Sequence, residues 1–337
     1  MPGALRVGVR VVVRRRLPAG GTSDVLGTLV DAGPETLVVR TPRGDVRVAV
    51  ADVVAAKEVP PRASRRGPAH LALSVADLED VMSDGWRALE TAWLAGPGSW
   101  LLRASEGFTG RGNSALPLAP LPVDQGTPVD QGTPVDLADA LDRVAAWYTA
   151  RGLPATVVLP EPIGDEEPPV PGLREALAAA GWVERSPTLV MVAGALAVPP
   201  ADVPPGHRVD LADAPDDAWL GLYRYRGQEL PAVASRLLMS APQQVFASVR
   251  DGDATVAVGR LAVSRGWGGI TAMEVAASAR RRGLGRAVLA TLARRSAALG
   301  GRSLYLQVAA ENRAARALYG ASGFTDHHRY SYWSPAA

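Results

Sequence analysis

Apolar and polar positions change their rhythm along the 337-residue chain, and the changes divide it into three stretches. Over residues 1–60, short β-branched runs, "VGVRVVVRRR", "VLGTLVD", "TLVVRT" and "VRVAVADVV", are separated by turn signals at Pro18-Ala19-Gly20-Gly21 and Pro42-Arg43-Gly44-Asp45. Runs of this kind between Gly and Pro clusters predict four or five short strands, enough for a small β-barrel. "EVPPRASRRGP", Glu58 to Pro68, reads as a linker.

From residue 69 to 198, helical and strand periods alternate. Leu71 to Leu94 reads as helix-rich, and "SWLLRAS" and "GFTGRGNSALPL" read as neighbouring strands. "LADALDRVAAWYTARG" places Leu137, Leu141, Val144, Ala145 and Tyr148 near one helical face. "ATVVLP" then predicts a buried strand, "LREALAAAGW" a helix ending at Gly181, and "TLVMVAG" a strand. The hexapeptide PVDQGT occurs twice in tandem, at Pro122–Thr127 and Pro128–Thr133. Its Pro, Asp and Gly content marks a loop expansion, placed where added chain costs least.

Over residues 205–335 the pattern is clearest. "QVFASVR" and "TVAVGRLAV" flank Asp251-Gly252 as a hairpin, and "GGITAMEV" adds a strand. A helix over 283–299, the strand "SLYLQV", a helix from about Asn312 to Ala321 stopped by Gly323, and a last strand "RYSYW" follow. The order predicts a mixed sheet flanked by helices, α/β or α+β, with a βαβ crossover at its centre.

At 47% hydrophobic and 21% charged, the composition is that of a globular protein, and the length allows two or three domains. The chain has no cysteine, so disulfides, thiolate metal sites and a cysteine nucleophile are excluded, and a cytoplasmic location is expected. No apolar run reaches the roughly 20 residues of a spanning helix, so no membrane association is expected. His70, His207, His327 and His328 are too scattered for a metal site. Residues 1–66 hold 12 Lys/Arg against 6 Asp/Glu, and the remainder 24 against 28. The barrel, SH3-like in size, is therefore basic, yet it contains no Phe, Trp or Tyr for base stacking. A solvated basic face or an internal docking surface is the stronger reading, ahead of nucleic-acid binding.

Chemistry concentrates in "VAASARRRGLGRAVLATLARR", Val275 to Arg295. A phosphate-binding Walker loop requires Lys followed by Ser or Thr where Arg286-Ala287 stands, and a dinucleotide fingerprint requires glycine where Val288 stands. What remains is a glycine loop at a helix N-terminus with Arg280, Arg281, Arg282 and Arg286 around it, a geometry suited to a pyrophosphate. Solvated arginines ahead of a surface helix are the alternative reading of the same residues.

Arg280-x-x-Gly283-x-Gly285 after "TAMEV" resembles the acyl-CoA pyrophosphate loop of the GNAT superfamily of N-acetyltransferases. "LQVAAENRAARALYGASGF" resembles that superfamily's second signature, with Asn312, Ala315, Leu318-Tyr319 and Gly323-Phe324 at the expected spacing. The whole chain is also similar to an actinobacterial histone acetyltransferase-like group with a barrel and tandem halves. Aligning Gly181-Trp182 with Gly323-Phe324 sets Leu177 opposite Tyr319 and Val170 opposite Asn312. Residues 69–198 thus resemble a degenerate GNAT half, and 205–335 an active one.

The resemblance implies acetyl-CoA as cofactor and direct transfer to an amine acceptor, on a protein or a small molecule. An alkyl ammonium, with a pKa of about 10.4, must lose a proton before it attacks. Glu274 is the candidate base, because alternation points it away from Met273 and Val275, and burial there would raise its pKa. An ion pair with a nearby arginine is the competing role. The resemblance further implies that Met273, Val275, Leu284, Asn312 and Ala315 contact CoA and that Tyr319 protonates the leaving thiolate; aromatic packing is the other reading of Tyr319. Tyr223, Tyr225 and Gln228 of "YRYRGQE", expected in a helical region, and His328 are candidate substrate contacts. A CoA-binding protein without turnover is the alternative function.

Overall fold

The computed structural model describes residues 5, 7–18, 20–41, 44–59, 67–94, 100–119, 136–224 and 228–336. The tandem PVDQGT repeat and Tyr225 lie outside them.

The N-terminal stretch forms β1 (Arg10–Arg16), β2 (Thr22–Ala32), β3 (Thr36–Thr41), β4 (Gly44–Ala49) and β5 (Val53–Glu58), in the sheet order β4-β3-β2-β1-β5. Alternation drives it: Val11, Val13, Leu29, Val39 and Val48 point inward. Outside, Arg14 pairs with Asp24 and Arg40 with Asp45, so part of the basic face is already neutralised by neighbouring strands.

The remainder runs through one order of elements twice. The first pass is α1 (Val75–Gly85), β6 (Glu90–Leu94), β7 (Trp100–Ala104), β8 (Leu116–Pro117), α2 (Leu137–Thr149), β9 (Val157–Pro162), α3 (Leu173–Ala179) and β10 (Trp182–Gly194). The second opens with β11 (His207–Ala212), α4 (Asp217–Leu222) and α5 (Val233–Leu238). It continues through β12 (Gln244–Asp251), β13 (Ala254–Ser264), β14 (Trp267–Val275), α6 (Leu284–Ala298), β15 (Ser303–Ala309), α7 (Arg313–Ala321) and β16 (Thr325–Pro335). Each pass contains three consecutive antiparallel strands (β6–β8 and β12–β14), a crossover helix, a parallel strand, a short helix and a final strand, and the second adds β11 antiparallel to β12.

The final strands are exchanged. In the eight-stranded sheet β11-β12-β13-β14-β15-β10-β16-β9, β10 of the first pass lies against β15, and β16 of the second lies against β9. Helix α6 covers one face, with Leu284, Val288 and Leu292 on Leu261, Ile270 and Leu306. On the other face, α4 and α5 bring Trp219 and Leu237 against Phe246 and Val258, together with Trp86 and Phe108 of the first pass.

Three expectations change. The helix expected through Leu94 stops at Gly85, and Glu90–Leu94 pairs with β7 instead. In "GFTGRGNSALPL" only Leu116–Pro117 is strand. Asn113 takes the backbone upstream of it, accepting from the amides of Ser105 and Gly107 and donating to the carbonyls of Phe108 and Thr109, a side-chain competition that displaces the ladder. Helix α4 ends at Leu222, so Tyr223 and Gln228 follow it in irregular chain. No helix among the described residues is long and apolar enough to cross a membrane.

Candidate active site

The site begins with a split in the sheet. β14 and β15 pair in parallel only from Trp267–Ser303 to Ile270–Leu306, although they run on to Val275 and Ala309. Opposite β13, the step from Thr271 to Glu274 matches only the step from Val258 to Arg260, so β14 carries one extra residue, with Ala272 at φ 53°. A bulge bends and over-twists its strand. Here it swings β14 away from β15 and opens a wedge.

The bulge sets the faces. Glu274 pairs with Val258, which is buried on the α4–α5 side, whereas the Met273 sulfur lies beneath α6 beside Val288, where Gly259 leaves room for it. Val275 also packs on the α6 side. The expected orientation of Glu274, away from Met273 and Val275, is therefore the one observed. Its carboxylate is one-third exposed and receives Nη2 of Arg280 at 3.2 Å, while Nε of Arg280 donates to the Val275 carbonyl.

Beyond the wedge lies the arginine loop. Arg281 (φ 64°) and Gly283 (φ 84°) are left-handed, and Gly283 is the N-cap of α6 with no side-chain cap bond. The first helical bond runs from the Ala287 amide to the Gly283 carbonyl, so the amides of Leu284, Gly285 and Arg286 have no acceptor within the helix. The Leu284 side chain is buried, so only its backbone can serve a ligand; Arg280, Arg281, Arg282 and Arg286 are exposed around it. Open amides at the positive end of a helix, with a positive-φ residue before them, fit the pyrophosphate of CoA. The matching crossover helix α2 does not fit it, because the Asp136 carboxylate already accepts from the amides of Ala138 and Asp139.

Helix α7 supplies the rest. Asn312 is its N-cap, accepting from the Ala315 amide through Oδ1, and Ala315 packs on the α6 core. Tyr319 is buried in the same cluster, and burial, with the charge of Glu274 adding to it, pushes its phenol up to about 12. Burial also raises Tyr305 of β15 to about 12. An unfolded tyrosine ionises near 10, so between about pH 10 and 12 the unfolded chain sheds protons that the folded chain keeps. Stability should hold to about pH 9 and then fall with rising pH, by about 1.4 kcal/mol per phenol at about pH 11 and up to about 3 kcal/mol above about pH 12, measured as the urea midpoint from about pH 7 upward.

On the face away from α6, a pocket of about 160 Å³ opens at the bulge. Thr271 and Ala272 of β14, Gln307 and Ala309 of β15, and Tyr330 and Tyr332 of β16 line one side. Thr188 of β10, paired with Ala309 and Tyr330, belongs to the same sheet wall, and Trp86, the Thr109–Arg111 segment and Tyr223 complete the lining. Both passes of the chain thus build one pocket, with Tyr223 among its lining residues.

His328 does not line it. It is fully buried, its Nε2 is 3.0 Å from Glu79 Oε1, and Nδ1 lies 2.8 Å from Nδ1 of His327. Adjacent strand residues should point oppositely, but β10 skips His327 in its register with β16, and this irregularity buries both rings. Pattern reading missed Arg260, a lone arginine in the apolar run "TVAVGRLAV" that is fully buried beside the pocket.

The split at a bulged strand, and the uncapped helix end behind it, define the class as a GNAT-type acetyltransferase fold. Residues 74–333 match the family described as "Probable histone acetyltransferase Rv0428c C-terminal", and residues 5–57 match "Rv0428c N-terminal Sm-like domain". The chain belongs to this family. The barrel expected as SH3-like is thus Sm-like, a description its five antiparallel strands accommodate equally. A relative from Mycobacterium tuberculosis, "Probable histone acetyltransferase Rv0428c", is 30% identical over 345 residues, covering 97% of this chain and 94% of its own. Among solved structures, a GCN5-related N-acetyltransferase from Kribbella flavida aligns with a TM-score of 0.59 at 18% identity, over 78% of this chain and 96% of that one. That likeness concerns the fold.

Proposed function

We propose that this protein is an acetyl-CoA-dependent N-acetyltransferase that acts on a primary amine by direct attack. The observation that carries the reading is the uncapped N-terminus of α6, set behind the β14–β15 wedge. When bound, acetyl-CoA supplies the thioester acyl group. Arg281, Arg282, Arg286 and the amides of Leu284 to Arg286 hold its pyrophosphate, and the Asn312 side chain and the Val275 backbone hold its pantetheine arm. Glu274 takes the proton that the attacking amine must lose. Tyr319, still protonated throughout the neutral range, donates to the leaving sulfur. The relative's name points to a histone as one acceptor; small amines are the other class.

The Glu274–Arg280 pair favours a second reading, CoA binding without turnover, because it occupies the candidate base. Calorimetric titration with acetyl-CoA and a thiol-release assay over an amine panel separate the two. Saturable binding with release supports transfer, and binding with none across the panel supports the second reading. Gly283→Val should weaken acetyl-CoA at least about tenfold, since a β-branched residue resists φ 84°. Glu274→Gln should lower turnover by about 10²–10⁴ with cofactor affinity unchanged. Unchanged binding in the first variant, or full activity in the second, would remove the corresponding assignment.

A further inference from the structure

The pocket on the α4–α5 face carries a charge that acetyl transfer by itself does not require. Arg111 lines it, and among the described lining residues there is no Asp or Glu. The Arg111 guanidinium carbon lies 5.6 Å from the centre of the Trp86 ring, and that of Arg260 lies 5.3 Å from the same ring. Arg260 is 0% exposed. It donates to the carbonyls of Leu238 and Gly85 and to the Thr271 hydroxyl, and its Nη2 has no partner. Among the described residues no carboxylate pairs with it. Burial pulls its guanidinium down to about 10, which leaves it a cation at neutral pH.

A buried cation without a counter-charge is costly to keep, and replacement by an apolar side chain would remove that cost. Two lining residues, Trp86 and Thr271, are the ones Arg260 touches. The phenols of Tyr330 and Tyr332 are held protonated by burial, so they offer hydrogen bonds and no negative charge. A cationic wall of this kind opposes a second positive charge on the acceptor and favours a negative one. The cavity is also small, below the range of pockets that take drug-sized ligands.

We propose that the acceptor of this site is a small amino carboxylate of amino-acid size, with its carboxylate on the Arg111 side and its amine toward the β14–β15 split. The assignment rests on the acetyl-transfer reading for its chemistry and on the pocket alone for its charge preference. A polycationic tail or polyamine is the class it disfavours.

Two measurements on the full chain test it. The first compares thiol release with glycine, alanine and phenylalanine against their carboxamides, corrected for the fraction of free amine, and against spermidine and a lysine-rich peptide. The carboxylates should have kcat/KM about 10- to 100-fold above the carboxamides, the value of one charged hydrogen bond. Arg111→Gln should remove that advantage, bringing kcat/KM for the carboxylates down to the level of the carboxamides in the same variant. The second needs no chemistry and no variant: calorimetry with N-acetylalanine against N-acetylalaninamide should show tighter binding of the anion. Carboxylate-selective binding without turnover would sink the acetyl-transfer reading and keep the pocket assignment. Equal or better use of carboxamides, spermidine or the peptide, equal losses for both series in Arg111→Gln, or no binding of either N-acetyl compound would overturn the assignment and leave transfer standing.

Discussion

Residues 199–337, expressed as a separate fragment, are expected to lack a cooperative fold and to bind no acetyl-CoA, although both GNAT motifs lie within them. The missing piece is β10. It pairs along Thr188–Gly194 with β15 and along Trp182–Val192 with β16, so its removal leaves two central strands as unpaired edges. Val190, Val192 and Ala193, all fully buried, vanish from the sheet interior at the same time. Exposed hydrophobic edges promote association in place of folding. Trp86 and Phe108 also leave the cluster under α4 and α5, and the pocket at the bulge loses part of its lining. Far-UV circular dichroism, a urea titration and acetyl-CoA calorimetry would check this. Mixing the fragment with residues 1–198 should restore a single transition, and a fragment that folds and binds unaided would show that the exchange is dispensable.

This exchange explains what pattern reading could and could not find. α6 and α7 are legible because each depends on a local feature: glycine at φ 84° before an apolar helix, and an Asn cap three residues before Ala315. "TLVMVAG" is legible as a buried strand because it is apolar on both faces, but the same run suits either sheet, so its partners are not. The bulge at Ala272 leaves no mark in "GGITAMEV", since alanine is an unremarkable residue in a strand and the extra position shows only against β13. That these residues share one pocket is illegible for the same reason: Arg111, Tyr223 and Tyr332 lie far apart along the chain and meet only in the folded protein. Arg260 carried a usable signal, a single charge inside an apolar run, which indicates either an edge or a deliberately buried cation.

Arg265→Met is expected to destabilise the folded chain by about 3–5 kcal/mol, the range for breaking one side of a buried ion pair. Arg265 (φ 46°) and Gly266 (φ 78°) form the two-residue turn between β13 and β14, a conformation that favours Asn, Asp or Gly at both positions. An arginine held there against its backbone preference is explained by what its side chain does. Nε donates to Asp84 Oδ2 at 2.8 Å and Nη1 to Asp80 Oδ2 at 2.6 Å, with the arginine side chain 2% and Asp84 1% exposed. The pair ties α1 of the first pass to the turn of the second. Methionine would leave Asp84 buried without its 2.8 Å partner, and Arg87 stands farther off at 3.6 Å. Asp80 is partly exposed and can turn to water. Adding Asp84→Leu to Arg265→Met should recover most of the loss, because the second change removes the stranded charge, and a double-mutant cycle by urea denaturation measures the coupling. The effect should also reach the pocket, since α1 ends at Gly85, whose carbonyl receives Arg260, and Trp86 follows directly. Loosening α1 should therefore raise KM for the amine while leaving acetyl-CoA affinity unchanged. A loss below about 1 kcal/mol would mean that the pair behaves like a solvent-exposed one and does not hold the two halves together.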